Sequence, residues 1–438
     1  MNKTKEPSIL ILNQMAGPMT WELAEDFGRL VGPVALLTGH PDTLAKGSQE
    51  SVQLFPATPY DRGGYLRRMF SWLRYLVHAF FWLWKWPRNV PLLLFSNPPL
   101  LPWLGYVMHI LRGQRYAVMV HDIYPDILVR LGTLSEHHPI TTVWRWCNRR
   151  AYEHAEVVMT LGEYMAATLQ QQFDPERTKA GRIDVISPWA DTNVIRPLSK
   201  EENWFAKKYN QVGKLTVMYS GNMGIGHDIE MMLEAAEKLQ DIPDINFMFI
   251  GAGPKWELVK ETVCRKKLAN VTYLSWQPEE VIPYSLATAD VALVSLEPQI
   301  RGLAVPSKAF SSLAAGVPLM VISDHETELT NIVKHFKCGW WVRPEQLDKF
   351  CQILLRLLSA PHDLNQQKVQ SRCVAEEIGA RKNSIALARK LHNLFRVDSA
   401  IGDMETLLPI MGNDDPQYST PKPLLRKPST VRTRVNNN

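Results

Sequence analysis

The second half of the chain alternates short apolar runs with segments of helical periodicity. Each apolar run is four or five residues long and is bounded by glycine or polar turn residues, at 215–219, 246–250, 271–274, 290–294 and 318–322. Runs of this length are typical of buried strands, whereas the stretches 228–239 and 256–267 have the three- and four-residue spacing of helices. The pattern predicts a parallel sheet with helices on both faces, that is, a doubly wound domain.

The first half of the chain repeats the alternation with different residues. Its apolar runs predict further strands at 9–12, 34–37, 92–95, 117–120 and 157–161. The 438 residues are too many for one typical core and fit two domains. We therefore predict the α/β class, with two Rossmann-like doubly wound domains facing a central cleft.

The domain boundaries follow from where the strand pattern starts and stops. Residues 1–195 form the predicted first domain, residues 196–213 the linker and residues 214–360 the second domain. Residues 361–397 contain a predicted helix at 383–395 that, in this architecture, crosses back toward the first domain. After Asp398 the chain becomes rich in Pro, Asn and Thr, so residues 398–438 are predicted to be a disordered tail.

Turns that could contact a ligand follow three strands of the predicted second domain, and two of these turns contain glycine. Gly221-Asn222 ends one strand and Gly251-Ala252-Gly253 ends the next. The run VPSKAFSSLAAGVPLM predicts a helix that Ser307 caps, with the cation of Lys308 near its first amides, which is where anions bind. Alone, this run also fits an ordinary capped helix with a surface lysine. Because ligands bind beyond the carboxyl ends of strands in such sheets, the three turns together predict a phosphate site.

Composition limits the class of protein. The chain is 45% hydrophobic and 21% charged, which is typical of a globular protein, and its net charge is +5. The five cysteines form no CxxC pair, which argues against a zinc site and favours a reducing compartment. The N-terminal segment MNKTKEPS is polar, so no signal peptide is expected.

Residues 62–88 combine aromatic bulk with positive charge. They contain six Lys or Arg, no acidic residue and four of the 14 tryptophans. This composition is typical of a helix lying in an anionic membrane surface, although a core helix with solvated arginines has the same features. The predicted membrane contacts are Arg67, Arg68, Trp72, Arg74, Trp82 and Lys85. Residues 90–111 are uncharged, but their prolines divide them into a strand and a helix starting near Leu101.

Several segments in a fixed order resemble a known family. They are VHDIYPD, VISPWADTNVIRP, YSGNMGIGHD, FIGAGP, ATADVALVSLEP and VPSKAFSSLAAGVPLMV. Between about residues 9 and 394 the chain is similar to retaining family-4 glycosyltransferases of GT-B architecture. The similarity is strongest to the bacterial branch that builds surface polysaccharides and lipid-linked oligosaccharides.

The resemblance implies roles for individual residues. His121 matches the histidine of the family's reaction centre, and Asp122 beside it is a second catalytic candidate. Both also fit ordinary structural or turn roles at a strand end. The residues placed on the donor are Gly17, Asn222, Gly251, Gly253, Arg301, Ser307, Lys308 and Ser311.

The chain also departs from the common family pattern. The usual Arg and Lys after the first strand of the second domain correspond to Asn222 and His227. The usual two glutamates correspond to Leu303 and Ser311, so a carboxylate for the donor ribose is missing. Lys308 and Arg301 are the candidate replacements for the missing positive charges.

The resemblance implies an enzyme that transfers a sugar from a nucleotide diphosphate sugar, a uridine one in most of this branch. The acceptor would be a lipid-linked sugar or a glycan, and the enzyme would lie in the cytoplasm at the inner face of the membrane. No metal or other cofactor and no nucleic acid is expected. Two alternatives stay open: a non-catalytic nucleotide-sugar-binding or assembly subunit, and a nucleotide-sugar epimerase or hydrolase.

Overall fold

Two parallel β-sheets form the framework of the protein. The computed structural model describes residues 6–61, 63–224, 227–295 and 298–396. The first sheet has the strand order β3-β2-β1-β4-β5-β6-β7, and neighbouring strands are parallel. Its strands are β1 (Ile9–Leu12), β2 (Val34–Thr38), β3 (Val52–Pro56), β4 (Leu92–Phe95), β5 (Tyr116–Val120), β6 (Val158–Thr160) and β7 (Ile183–Val185).

The second sheet has the order β10-β9-β8-β11-β12-β13 and is also parallel. Its strands are β8 (Leu215–Asn222), β9 (Ile245–Ala252), β10 (Val271–Leu274), β11 (Val291–Ser295), β12 (Leu319–Ile322) and β13 (Gly339–Val342). The winding direction reverses between β1 and β4 in the first sheet and between β8 and β11 in the second. In doubly wound sheets such a reversal opens a crevice at the carboxyl ends.

Helices cover the faces of both sheets. The first sheet carries α1 (Pro18–Leu30), α2 (Pro41–Ala45), α3 (Tyr65–Trp84), α4 (Leu101–Arg112), α5 (Asp126–Arg130), α6 (Pro139–Glu153) and α7 (Glu163–Gln170). The rest of the chain forms α8 (Trp204–Lys208), α9 (Ile229–Lys238), α10 (Trp256–Lys266), α11 (Ile282–Ala287), α12 (Lys308–Ala314), α13 (Glu328–Phe336), α14 (Leu347–Ser359), α15 (Pro361–Ile378) and α16 (Lys382–Arg396).

Central strands are continuous apolar runs because both faces of each sheet are covered. Leu10 of β1, for example, pairs with Ala35 of β2 and Leu92 of β4, and all three residues are fully buried. The predicted α/β class and its two doubly wound domains are confirmed. The sequence prediction missed β3, β7 and β13, which are short strands on or next to the sheet edges and are less completely buried.

The predicted linker is not an extended segment throughout. Its second half contains α8, which packs on α11 of the second domain. The Asn203 side chain accepts a hydrogen bond from the Phe205 amide and donates one to the Tyr284 carbonyl, and Phe205 is fully buried. These contacts attach the end of the linker to the second domain.

The two C-terminal helices lie partly against the first domain. Between them, the Arg381 guanidinium donates to the carboxylates of Glu25, Asp26 and Asp191. Asp26 is fully buried, and its carboxylate is compensated by Arg381 together with Arg29 of α1. Near the end of α16, Arg115 of β5's leading loop donates to the carbonyls of residues 394 and 395. The predicted tail, residues 398–438, lies outside the described residues.

Helix α3 has one buried and one exposed face. Trp82 was predicted to contact a membrane, and this is wrong: it is only 6% exposed and packs against Phe55 and Trp86. Trp72 is half-buried against Tyr124. The large exposed apolar residues are instead Leu66, Met69, Phe70, Leu73, Val77, Phe81 and Trp84.

Arg68 is also half-buried, with its guanidinium over the ring of Tyr60. The exposed cations on the helix and at its C-cap are Arg67, Arg74 and Lys85. None of the helices in the described part of the chain combines the length and the apolar character needed to cross a bilayer.

We expect Arg381→Met to lower stability by about 3 kcal/mol, because it removes a guanidinium shared by three carboxylates and leaves the buried Asp26 with only the largely exposed Arg29 as an ion-pair partner among the described residues. Thermal unfolding followed by calorimetry measures the effect. The control is Arg356→Met, since Arg356 pairs with Asp363 on the surface with a side chain that is 75% exposed and such pairs contribute about 0–1 kcal/mol. Equal losses in both variants would contradict the role given to Arg381.

Candidate active site at the interdomain cleft

Loops at the carboxyl ends of the two sheets contact each other directly. After β5, Asp122 forms an antiparallel bridge with Ala304, which follows β11. The Ile123 amide donates to the Leu303 carbonyl at 3.0 Å. The carboxyl ends of the sheets therefore face each other across one cleft, as predicted.

A second contact joins α7, which follows β6, to α13, which follows β12. The carboxylate of Glu328, at the start of α13, accepts a hydrogen bond from the Tyr164 amide in the first turn of α7 at 3.0 Å. Gly162 at the N-cap of α7 has no side chain that could cap the helix, and a Cβ there would lie 2.3 Å from the Glu328 Oε1. One domain thus caps a helix of the other. Burial raises the pKa of Glu328.

A third contact between the domains is an ion pair of Lys46, which follows α2, with Glu279, which precedes α11; the Nζ and Oε1 atoms are 2.9 Å apart. A cavity of about 650 Å³ opens beside this pair, next to Arg196 and Tyr284. None of the predicted site residues lines it.

His121 lies at the cleft end of β5. Its amide donates a hydrogen bond of 2.9 Å to the hydroxyl of Ser96, the residue that follows β4. Its ring meets the Phe95 ring edge to face, with centroids 5.1 Å apart, and no described residue bonds its ring nitrogens. Burial lowers the pKa of His121 to about 4. The imidazole is therefore neutral near pH 7 and is free to donate or accept a hydrogen bond.

Asp122 adjoins His121 and faces the same cleft. Its amide also lies within reach of the Ser96 hydroxyl, at 3.3 Å. Burial raises the pKa of Asp122 to about 6, and no described residue pairs with its carboxylate. A carboxylate with this pKa and no partner can exchange a proton near neutral pH.

The glycines predicted on the donor side have two different physical roles. Gly17 has an extended backbone, with φ at −78°, and a Cβ there would have no neighbour within 4 Å. Gly251 has φ at +142°, and a Cβ there would lie 2.0 Å from the Gly221 carbonyl. Gly253 has φ at +140° and approaches the Met223 carbonyl in the same way. Gly251 and Gly253 therefore serve packing, whereas only Gly17 leaves open space for a ligand.

The predicted phosphate helix differs from expectation at its start. Helix α12 begins at Lys308, and Ser307 has helical backbone angles with no capping hydrogen bond from its side chain. The prediction that Ser307 caps this helix is wrong. The Lys308 chain instead passes Gly221, and its Nζ lies 3.6 Å from the centroid of the Tyr219 ring. No described residue accepts a hydrogen bond from this buried amine.

The other predicted donor residues are spread over the same end of the second sheet. Asn222 is exposed at the end of β8, and its carbonyl accepts the Tyr219 hydroxyl at 2.7 Å. Ser311 is half-buried one turn along α12. Arg301 instead faces the first domain, with its guanidinium 5.4 Å from the centroid of the Tyr164 ring.

Three site features were missed in the sequence. Tyr219 lies in a run that looks like an ordinary strand, and no local pattern marks it as the platform for an amine. In sequence, His227 only stands where the family usually has a lysine. In the structure its Nδ1 contacts the Ser295 carbonyl at 2.8 Å, and burial and Lys308 lower its pKa to about 3. Glu328 caps a helix that precedes it by more than 150 residues, a contact that no sequence pattern marks.

The described residues include no group of three His, Cys, Asp or Glu side chains that would hold a metal. All five cysteines are free thiols. Independence from metal ions stays a prediction.

Comparison with known families assigns both halves of the chain. The family described as "Glycosyl transferase 4-like domain" matches residues 16–189, and the family described as "Glycosyl transferases group 1" matches residues 214–360. The chain belongs to the GT4-type glycosyltransferases. The family resemblance of the VHDIYPD and VPSKAFSSLAAG segments is thereby confirmed, and the protein is a transferase of glycosyl groups.

Individual relatives support the GT4-type assignment. The chain is 28% identical to "Probable glycosyltransferase WbjE" of Pseudomonas aeruginosa over 297 residues, which is 65% of this chain and 72% of WbjE. It is 26% identical to WcaI of Escherichia coli K12, over 57% of this chain and 62% of WcaI. The fold matches that of Anabaena HepE with a TM-score of 0.67 and 13% identity, over 88% of this chain and 99% of HepE.

We expect Gly17→Ala and Gly251→Ala to fail in different ways. Gly17→Ala should lower stability by at most about 1 kcal/mol, since only a helix N-cap changes, and should slow sugar transfer about tenfold or more because the methyl group enters the ligand space. Gly251→Ala should lower stability by about 2–4 kcal/mol through strain and overlap. Thermal unfolding and transfer assays on both variants measure this. Unfolding of Gly17→Ala, or normal stability of Gly251→Ala, would contradict these roles.

Proposed function

We propose that this GT4-type enzyme transfers a sugar from a UDP-sugar to a lipid-linked or glycan acceptor in surface-polysaccharide or glycolipid biosynthesis. The observation that carries the proposal is the backbone bridge between Asp122 and Ala304. It brings the loop of His121 next to the segment that leads to Lys308. WcaI is named for colanic acid biosynthesis, and HepE has been solved with UDP and glucose; both names support the proposal.

The donor is assigned to the second domain. The crevice between β8 and β11 is the ligand position expected for a doubly wound sheet. Gly221 and Asn222 at the end of β8 and the segment 305–308 after β11 border it. The open space at Gly17, across the cleft, leaves room for the donor diphosphate to reach both sheets.

We propose transfer with retention by front-face departure. In this reaction the bond from the anomeric carbon to the diphosphate breaks, and the acceptor oxygen forms its bond on the same face. The leaving phosphate oxygen takes the acceptor proton, so atoms and charge balance without a protein nucleophile. Neutral His121 would hold a hydroxyl of the sugar or the acceptor by a hydrogen bond, and Asp122 would orient the acceptor.

The acceptor side of the enzyme is assigned to a membrane. Six of the seven exposed apolar residues of α3 fall within about 80° around the helix axis, at ~100° per residue: Leu66, Phe70, Leu73, Val77, Phe81 and Trp84. Arg67, Arg74 and Lys85 border this stripe on one side, and the sequence between 62 and 88 has no acid. A helix with this pattern lies in an anionic lipid surface. We therefore place the enzyme in the cytoplasm, at the inner face of the membrane.

We expect His121→Gln and His121→Ala to lower the turnover number about 10²- to 10³-fold, the usual loss when a transition-state hydrogen bond is removed. Affinity for UDP should change less than threefold, because His121 belongs to the opposite domain. Transfer is measured with radiolabelled UDP-sugars and calorimetry gives UDP affinity. The matched control is His362→Ala, an exposed histidine of α15.

Because the pKa of His121 is about 4, its protonation should not shape the rate between pH 6 and 8. Normal transfer by His121→Ala would refute its role in catalysis. If wild type bound UDP-sugars but neither transferred nor hydrolysed the sugar with any acceptor extract tested, a non-catalytic subunit would be favoured. Hydrolysis or epimerisation of the UDP-sugar without an acceptor would favour a nucleotide-sugar hydrolase or epimerase.

We expect the variant with Arg67, Arg74 and Lys85 changed to Ala to bind anionic vesicles about 100-fold more weakly, at about 1 kcal/mol per cation. Vesicles with 30 mole percent phosphatidylglycerol and a flotation assay measure this. Replacing Lys207, Lys208 and Arg356, three exposed cations elsewhere, is the control and should have little effect. Phe70→Ser with Phe81→Ser should weaken binding at high salt as well. If both α3 variants bound vesicles as tightly as wild type, the proposed membrane contact of α3 would be refuted.

A further inference from the structure

Lys308 is a buried amine without a counter-charge. Its Nζ lies over the Tyr219 ring and makes no hydrogen bond to any described residue. Another buried lysine, Lys200, is not left in this way, because it bonds the Asp290 carboxylate, the Thr216 hydroxyl and the Lys214 carbonyl. A buried cation with no partner is costly, so its presence calls for an explanation.

The surroundings of Lys308 hold its amine away from water. The lysine lines a small hollow whose other walls are mainly apolar and come from β8, α11, β11 and α12; they include Met218, Ser220, Leu286, Ala292, Val294 and Ser312. Gly221 permits this position, because a Cβ there would lie 3.4 Å from the Lys308 Cδ. The burial lowers the pKa of Lys308 to about 7.

The titratable groups around the amine do not offer it a negative charge. From β8 the neighbour is Tyr219, whose pKa burial raises beyond the range of neutral solutions. His227 is neutral near pH 7. Lys255, at the start of α10, bonds the His227 carbonyl and pairs with Glu230 of α9. Asp228 uses its carboxylate to cap α9 through the Met231 amide.

We propose that above neutral pH Lys308 is mostly neutral in the donor-free enzyme and takes up close to one proton from the solvent when the diphosphate of the donor binds at the end of β8. This inference rests on the proposed function and adds to it a proton that binds together with the nucleotide. An anion beside the amine restores the charge that burial disfavours, since opposite charges raise the pKa of a lysine. The cation then neutralises the leaving group at a site where the family's usual Arg and Lys are replaced by Asn222 and His227.

Proton uptake by Lys308 determines how the Kd for UDP changes with pH. Below the pKa of the free enzyme, Lys308 already carries its proton and affinity does not change. Above it, each molecule must take up a proton to bind, so the Kd for UDP rises by about tenfold per pH unit until the pKa of the bound state is reached. Between pH 7.5 and 8.5, where the charge of UDP hardly changes, we expect a rise of about tenfold.

Calorimetric titration with UDP at pH 8, in Tris and in HEPES, measures the proton directly, because the two buffers release different heats on giving it up. Wild type should take up about 0.9 proton per UDP bound. Lys308→Met should take up none, should bind UDP at least tenfold more weakly, and should unfold at a temperature about 2 °C or more higher, since a buried amine is replaced by an apolar chain. Lys308→Arg should bind without proton uptake and with a Kd that stays level over this pH range.

The control is Lys260→Met, which removes a partly exposed lysine of α10 that pairs with Glu257. It should keep the proton uptake and the affinity of wild type. Binding of UDP without proton uptake, or uptake that persists in Lys308→Met, would overturn this inference and leave the proposed function intact. Failure of wild type to bind UDP, GDP or ADP would overturn the donor assignment itself, and the inference with it.

Discussion

The hydrogen bond from the Ile123 amide to the Leu303 carbonyl ties the two parallel sheets together at their carboxyl ends. The residues that matter chemically are close to it in the chain on both sides. His121 and Asp122 precede it on the first domain, and Lys308 follows it on the second. Because the bond joins two backbones, it depends on how the strands end and not on the side chain at position 303.

This backbone contact gives a physical account of one departure from the family pattern. Leu303 occupies the position of a family glutamate, but its side chain is fully buried and its carbonyl is the group that faces the other domain. The position keeps a role in holding the cleft together while it loses the carboxylate. In the donor site proposed above, positive charge would come from the Lys308 amine of α12 and not from a side chain on the loop that follows β8.

Much of the architecture could be predicted because parallel sheets bury both faces and leave continuous apolar runs in the sequence. The features that could not be predicted also have physical reasons. Gly17 and Gly251 look alike in sequence, yet one leaves open space and the other is forced by the Gly221 carbonyl. The aromatic content of 62–88 did not tell which tryptophans are buried, although the helical spacing of residues 66 to 84 carried that signal. The place of the Lys308 amine over Tyr219 and the cap from Glu328 depend on tertiary contacts that no local pattern encodes.

The Glu328 cap has a consequence for the balance between closed and open cleft. A side-chain cap contributes about 0.5–2 kcal/mol to a helix, which corresponds to a factor between about two and thirty in a two-state ratio. Separating the sheets at this point exposes the first turn of α7 and frees the Glu328 carboxylate, whose raised pKa shows that burial opposes its charge. The two effects partly cancel. The cap therefore adds only modestly to the contacts between the two domains, beside the Ile123–Leu303 backbone bond and the Lys46–Glu279 ion pair.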